Sequence, residues 1–334
     1  MSARRRRVAV SGLGSIARQH VAALASLGEV DITVFDPSPP LREEARAGGA
    51  VARVHDNFDA LLDERPDVLI IAGPDSVHLP QLRAAVDLRI PTLVEKPLAD
   101  SLAAARELVP AVEMTGVPVM VGYVLRHRLA VGTVKRLVED GAIGTPVSFQ
   151  VMLGAYGTIT AASSRFLTPE PNRLYRDYSH EWDYLRWIFG PIREVFAVAR
   201  TFAGVPHVEE PNLVDGLLAL HDDVVGSFHI DYVEPRGTRT LHVVGSGGTL
   251  QADFRHGNVV LRMAGEDGER SISQVESAAD ALASQARHLL AVAQGDVAPR
   301  VTLADGLAAL ETTDSLIRSA STRGWVEVAA PGRS

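Results

Sequence analysis

The sequence predicts an α/β protein of two domains. Residues 1–122 read as a Rossmann domain with a doubly wound parallel sheet. Residues 123–334 read as an α+β domain with a large, mostly antiparallel open sheet. Three observations carry this. Strand-like and helix-like segments alternate regularly from Val8 to Val121, the pattern of a parallel sheet covered on both faces. A glycine-rich turn, Gly12-Leu13-Gly14-Ser15-Ile16-Ala17, separates the first strand from the first helix. Beyond Gly122 the pattern changes to successive strands at hairpin-like spacing.

Composition bounds the class. With 334 residues, 46% hydrophobic and 22% charged, the chain is an ordinary globular protein, long enough to bury a core without staples. There is no cysteine, which excludes disulfides and thiolate metal sites, and no metal centre is expected. A net charge of −8 argues against a nucleic-acid partner. The Arg4–Arg7 run leads into Val8-Ala9-Val10, too short an apolar stretch for a signal or a membrane span. It reads as a solvated arm on a soluble, cytoplasmic protein.

Val8–Ser11 is the first strand. In the turn that follows, Gly12 permits the tight bend, Gly14 lets a pyrophosphate approach the backbone, and Ala17 lets helix pack on strand. Gly12, Gly14, Ser15 and Ile16 are therefore candidate dinucleotide-binding residues, with phosphates at the helix N-terminus. Asp31–Asp36 is the second strand. Asp36 stands a little over twenty residues past the glycines, where a ribose-binding acid is expected. Its carboxylate favours NAD. Arg42 leaves NADP open, and Asp36 also reads as a turn residue before Pro37. Leu41–Ala47 is helical, Ala50–Val54 a short strand and Phe58–Asp63 helical. Val68–Ala72 is an unbroken apolar strand ending at Gly73-Pro74-Asp75-Ser76-Val77-His78. Pro74 and His78 thus reach the same sheet edge as Gly12. His78 either touches the nicotinamide side or simply begins the next helix.

Ile90–Val94 reads as a buried strand ending in Glu95-Lys96-Pro97. At the carboxyl edge of a parallel sheet a lysine is aimed at the ligand crevice. Glu95 and Lys96 join the cofactor-site candidates. A surface Glu-Lys pair is the alternative reading. Ser101 caps a helix to about Thr115, and Val117–Val121 closes the half.

Taken together, the glycine turn, Gly73–His78, Glu95-Lys96-Pro97 and Gly122-Tyr123 with Arg126 stand in an order that resembles the Gfo/Idh/MocA oxidoreductases, the relatives of glucose–fructose oxidoreductase and inositol dehydrogenase. The resemblance covers essentially the whole chain. It implies an NAD(P)-dependent dehydrogenase acting on CH–OH groups of a sugar, amino sugar or cyclitol, and assembly as a homodimer or homotetramer through one face of the second sheet.

In the second half, Leu129–Asp140 reads as a helix and Val147–Ala155 as a strand, followed by an irregular stretch from Tyr156 to Asn172. The segment from Arg176 to Gly190 reads as one helix, which would put Asp177, His180 and Asp183 or Tyr184 on one face. A histidine flanked by acids suits a general base, or Asp177 or Ser179 merely caps the helix. The resemblance implies Lys96 and His180 as catalytic, His180 paired with the upstream Asp177, and Asp183 at the substrate. It likewise gives Tyr123 and Arg126 to substrate hydroxyls. Tyr232 reads as a substrate contact or a sheet aromatic. Where the family is often glycine-rich, this chain has Pro171-Asn172-Arg173-Leu174-Tyr175. Arg165, Arg173 and Arg176 there suit an anionic substrate group or are solvated surface arginines. Six strands follow between Ile192 and Met263, then helices over Ala278–Gln294 and Leu303–Ser319. Two further functions remain open: a glycosidase of the same fold that oxidises its sugar transiently, and a non-catalytic dinucleotide sensor.

Overall fold

The computed structural model describes residues 5–156, 171–203 and 211–329. The chain forms two compact units, residues 1–127 with 277–307, and residues 128–276 with 308–334.

The first unit is built on a six-stranded sheet of order β3-β2-β1-β4-β5-β6. The strands are β1 (Arg6–Ser11), β2 (Val30–Phe35), β3 (Arg53–His55), β4 (Val68–Ile71), β5 (Thr92–Val94) and β6 (Val119–Val121). Every pairing is parallel. The helices between them are α1 (Ser15–Leu27), α2 (Pro39–Ala47), α3 (Phe58–Asp63), α4 (Asp75–Asp87) and α5 (Leu102–Glu113). A 3-10 turn, Val124–His127, leads out. All four residues of β4 are buried, as a strand covered on both faces requires.

Two expectations are corrected here. Of the N-terminal arginines, Arg4 lies outside the described residues, and the other three are not a solvated arm. Arg6 and Arg7 belong to β1, Arg5 pairs with Asp31 at 3.0 Å, and Arg7 donates to the Glu64 carbonyl at 2.8 Å. Nor does the first unit end at residue 122. A late helix, Ala278–Gln294, places Ala286, Leu289 and Val292 in the same core as Val8, Val10 and Leu24, and Leu282 and Ala283 against Ala23.

The second unit carries a nine-stranded sheet of order β14-β13-β12-β11-β7-β10-β9-β8-β15. Its strands are β7 (Pro146–Gly154), β8 (Ile192–Arg200), β9 (Leu213–Leu220), β10 (Val225–Asp231), β11 (Thr238–Gly245), β12 (Gly248–Asp253), β13 (Asn258–Met263), β14 (Glu269–Ser273) and β15 (Val326–Glu327). Only β7 with β10 is parallel among its pairings. Its helices are α6 (Leu129–Glu139), α7 (Arg173–Asp177) and α8 (Ser179–Phe189); the late helix of the first unit is α9 (Ala278–Gln294), and α10 (Leu303–Thr322) follows it. Helix α8 packs on the sheet through aromatic pairs. Trp182 meets Phe228 edge-on at 4.9 Å, Tyr184 meets Phe254 at 5.4 Å, and Phe189 stacks on Phe149 at 5.0 Å. Rings fill such an interface at little entropic cost. No helix among the described residues is long and apolar enough to cross a membrane.

Candidate active site

The carboxyl edge of the first sheet gathers most of the expected cofactor residues. Gly12 has φ +101°, and a Cβ there would lie 2.7 Å from the Ala72 carbonyl oxygen, so only glycine serves. Gly14 has ordinary φ and a Cβ on it would meet nothing within 4 Å. Its requirement is open space above the backbone. Helix α1 begins there with no side-chain cap and no acid in its first turn. Its leading N–H groups and positive dipole end therefore face outward. Gly14 and Ser15 are exposed and Ile16 is half-buried. Asp36 closes this cradle. Its carboxylate accepts from the Leu13 and Ser38 N–H groups, both at 2.8 Å. An ionised carboxylate has about four acceptor positions, so two remain for a ribose diol. Arg42 lies along the same turn, donating to the Asp36 and Pro37 carbonyls at 2.8 Å. The open cradle, the uncapped helix and the buried acid fit a dinucleotide.

Pro74 caps α4 and is exposed at the same edge. His78 is buried, and its ring nitrogens face the Pro97 carbonyl at 2.9 Å and the Gly73 carbonyl at 3.1 Å. It joins two loops from the first turn of α4. Lys96 is half-buried at the end of β5, and its backbone N–H donates to Glu95 Oε2 at 3.1 Å. Glu95 is buried, and its Oε1 lies 2.7 Å from Nε2 of His20 on α1.

Two substrate candidates of this unit, Tyr123 and Arg126, are buried. Tyr123 is fully buried. Arg126 is 3% exposed, pairs with Asp305 at 3.0 Å and donates to the Arg300 carbonyl at 3.1 Å. It ties the 3-10 turn to the start of α10. The setting is densely cationic. Burial, then Arg300, His288 and Arg126, push the His127 imidazole down to about 3. Burial works to raise the Asp305 carboxyl, but Arg126 and Thr302 hold it below its ordinary value.

In the second unit the expected single helix is two. Chain direction breaks at Tyr178, φ −103° and ψ 21°, between α7 and α8. Asp177 therefore closes α7 and His180 opens α8. Neither Asp177 nor Ser179 caps α8. Ser179 Oγ instead donates back to the Arg176 carbonyl at 2.9 Å. Asp177 accepts from the Tyr232 hydroxyl at 2.6 Å. Tyr232 is 2% exposed and holds Asp177. His180 is half-buried in the first turn of α8. Asp183, expected to line the substrate site, is fully buried. Its neighbour Glu181 is also fully buried and pairs with Arg239 of β11 at 2.9 Å. Burial, with the Glu181 charge, pushes the Tyr184 phenol well up. Arg173 is buried, and Arg165 lies outside the described residues. Among the described residues no group of three or more His, Asp or Glu is arranged to hold a metal ion.

His20 is absent from the sequence reading. The signal was present: with Ala17, Ala23 and Leu24 it falls on the inward stripe of α1, where an ionisable side chain needs a partner.

Comparison with known proteins decides the family. Residues 6–123 match the model of the oxidoreductase family with an NAD-binding Rossmann fold, and residues 131–251 match the Gfo/Idh/MocA C-terminal domain. The chain belongs to the Gfo/Idh/MocA oxidoreductase family. The oxidoreductase is 26% identical to a D-apiose dehydrogenase of Paraburkholderia graminis, over 96% of this chain and 89% of that one. It is 26% identical to a myo-inositol dehydrogenase of Streptomyces leeuwenhoekii, over 96% and 99%. A local stretch of 111 residues, about a third of each chain, is 40% identical to an inositol 2-dehydrogenase of Rubrobacter xylanophilus. In fold it superposes on a levoglucosan dehydrogenase in complex with NADH, TM-score 0.87 at 20% identity, covering 97% of this chain and 99% of that one. The oxidoreductase is thus an NAD-binding enzyme of the CH–OH dehydrogenase class.

Proposed function

We propose that the enzyme oxidises a secondary alcohol of a sugar or cyclitol to the ketone, with NAD preferred to NADP. Support for the substrate class comes from the apiose and myo-inositol dehydrogenases, which align over nearly the whole chain. The observation that carries the reading is Lys96 at the carboxyl edge of the NAD-binding sheet. Of 33 lysines and arginines only two are lysines, at 96 and 135. Arginine presents a planar fork suited to carboxylates and phosphates, and lysine a compact ammonium with three donors, so a lysine at this edge of an arginine-rich chain suits donation to a single hydroxyl oxygen. Bound NAD supplies a hydride acceptor at the nicotinamide C4. Lys96 is assigned to donate to the reacting hydroxyl oxygen and polarise it. His180 is assigned to take the hydroxyl proton as hydride leaves the carbinol carbon. Asp177, held by Tyr232, orients the base, and Asp36 recognises the adenosine ribose, where its charge opposes a 2′-phosphate.

Absorbance of NADH over a panel including myo-inositol, D-apiose and levoglucosan tests the reaction. Turnover of at least one polyol, lost in Lys96→Ala, supports the reading, and calorimetry with both dinucleotides tests Asp36. We further assign the open face of the second sheet, with Met152, Leu217 and Val225 exposed, to homodimer or homotetramer assembly. Light scattering on the parent and on Leu217→Glu checks this.

A further inference from the structure

The pair His20 and Glu95 is buried and ionisable, and the proposed hydride chemistry leaves it without a role. His20 is 1% and Glu95 5% exposed. A carboxylate only accepts, so His20 donates from Nε2 to Oε1 across 2.7 Å, a short bond of the charge-assisted kind. The other oxygen, Oε2, accepts the N–H of Lys96 at 3.1 Å. The Glu95 N–H donates to the Ile71 carbonyl at 2.8 Å, and the Gly122 N–H to the Val94 carbonyl at 2.8 Å. The carboxylate itself rests on Gly122, where any Cβ would lie 2.7 Å from it. Glu95 is thus fixed by β4, by the end of β6, by α1 and by the peptide that carries Lys96.

The helix that supplies His20 is the one whose N-terminus forms the phosphate cradle. One rigid element therefore contacts both the cofactor site and the Lys96 turn. We propose that His20 is a positioning residue: through Glu95 it references the Lys96 backbone to helix α1, and so to the bound dinucleotide. The proposal rests on the reading of Lys96 as the group that holds the reacting hydroxyl. A misplacement of about 1 Å costs up to roughly 10²-fold in rate even from a remote site.

The two lysines make a direct test available. Reductive ¹³C-methylation of the whole enzyme gives two dimethyl-lysine signals. Lys135 is an internal control, held by Glu139 at 2.6 Å and by the Trp187 carbonyl at 2.9 Å. In His20→Leu the Lys96 signal is expected to move, with and without NADH, while Lys135 stays. His20→Gln, whose amide N–H reaches the same point, restores the parent signal. On the alcohol turned over in the panel, His20→Leu lowers kcat about 10- to 100-fold with little change in KM for NAD, and His20→Gln recovers most of the rate. His20→Asn, polar but too short to reach Glu95, behaves as His20→Leu and serves if the leucine variant does not fold. An unmoved Lys96 signal together with parent kcat in a folded His20→Leu or His20→Asn enzyme overturns the inference. Full turnover by Lys96→Ala overturns instead the reading of Lys96, and the NMR signals still decide whether His20 positions it.

Discussion

The two sheets present side chains in different ways. The parallel sheet is covered on both faces, so β4 is buried at every residue and its strands can offer chemistry only where they end. Gly12, Asp36 and Lys96 are all strand-end residues, one or two positions past β1, β2 or β5. The nine-stranded sheet alternates. β10 buries Phe228 and Ile230 and leaves Val225 exposed and Ser227 and His229 half-exposed. Its inner face therefore supplies side chains along its length, as Arg239 does to Glu181, and its outer face stays open. A doubly covered sheet concentrates function at one rim. A singly covered sheet spreads it over two faces and can give one of them to assembly.

The largest expected effects lie at the rim and on α8. Lys96→Ala and His180→Ala should each lower kcat by about 10²–10⁴-fold, the usual worth of an acid–base group, with NAD affinity near the parent value. The double variant should lose less than the product, because groups acting as a unit are not additive. Steady-state kinetics with separate NAD titration checks both. A near-normal His180→Ala would leave the chemistry to the rim alone.

Next is the inner face of the second sheet. Glu181→Gln leaves Arg239 facing a neutral amide, and breaking a buried pair by removing one charge costs about 3–5 kcal/mol. The half-exposed guanidinium keeps the effect near the lower end. The exposed pair Arg5–Asp31 of the first unit should cost at most about 1 kcal/mol when broken. Urea unfolding of both variants sharpens the contrast.

Gly14→Ala separates binding from folding. Its φ of −64° suits alanine and its Cβ would meet nothing within 4 Å, so unfolding should be unchanged. The methyl would occupy space needed by a phosphate, and NAD should bind about 10-fold more weakly, roughly one extra methyl's steric cost. Calorimetry reads this.

The smallest effect is on the open face. Asp231 and Asp215 raise the His229 imidazole to about 9 against a burial that lowers it. With the folded value above the unfolded one, about 6.5, its stabilisation is complete below that pH and is lost as pH rises through about 9. The stability gap between parent and His229→Gln should therefore shrink between those limits, measured by urea unfolding across pH.

Legibility followed the same division. Alternation, the glycine turn and Glu95-Lys96-Pro97 expose the parallel half because each is a local pattern. The break at Tyr178 was not legible. Helical periodicity runs on through Arg173–Phe189, and a partner of Asp177 lies 55 residues away at Tyr232. Strand β14 has four of five residues exposed, so it carries no apolar alternation to read. Tyr123, Arg126 and Asp183 match the family's pattern by position, while their burial comes from packing that no local pattern shows. His20 lay on a visible stripe, but its partner Glu95 is 75 residues on.

Helix α9 has a consequence for the order in which the molecule can be made. Leu282, Ala286, Leu289 and Val292 complete the core of the first unit, yet they follow the whole nine-stranded sheet save its last strand. During synthesis the dinucleotide-binding half emerges first and must wait, with Ala23 and Leu24 of α1 still wet, until some 150 further residues have left the ribosome. Neither half is then a module that can be cut out or shuffled at a single junction. A transplant of this cofactor domain has to carry two separate pieces of chain.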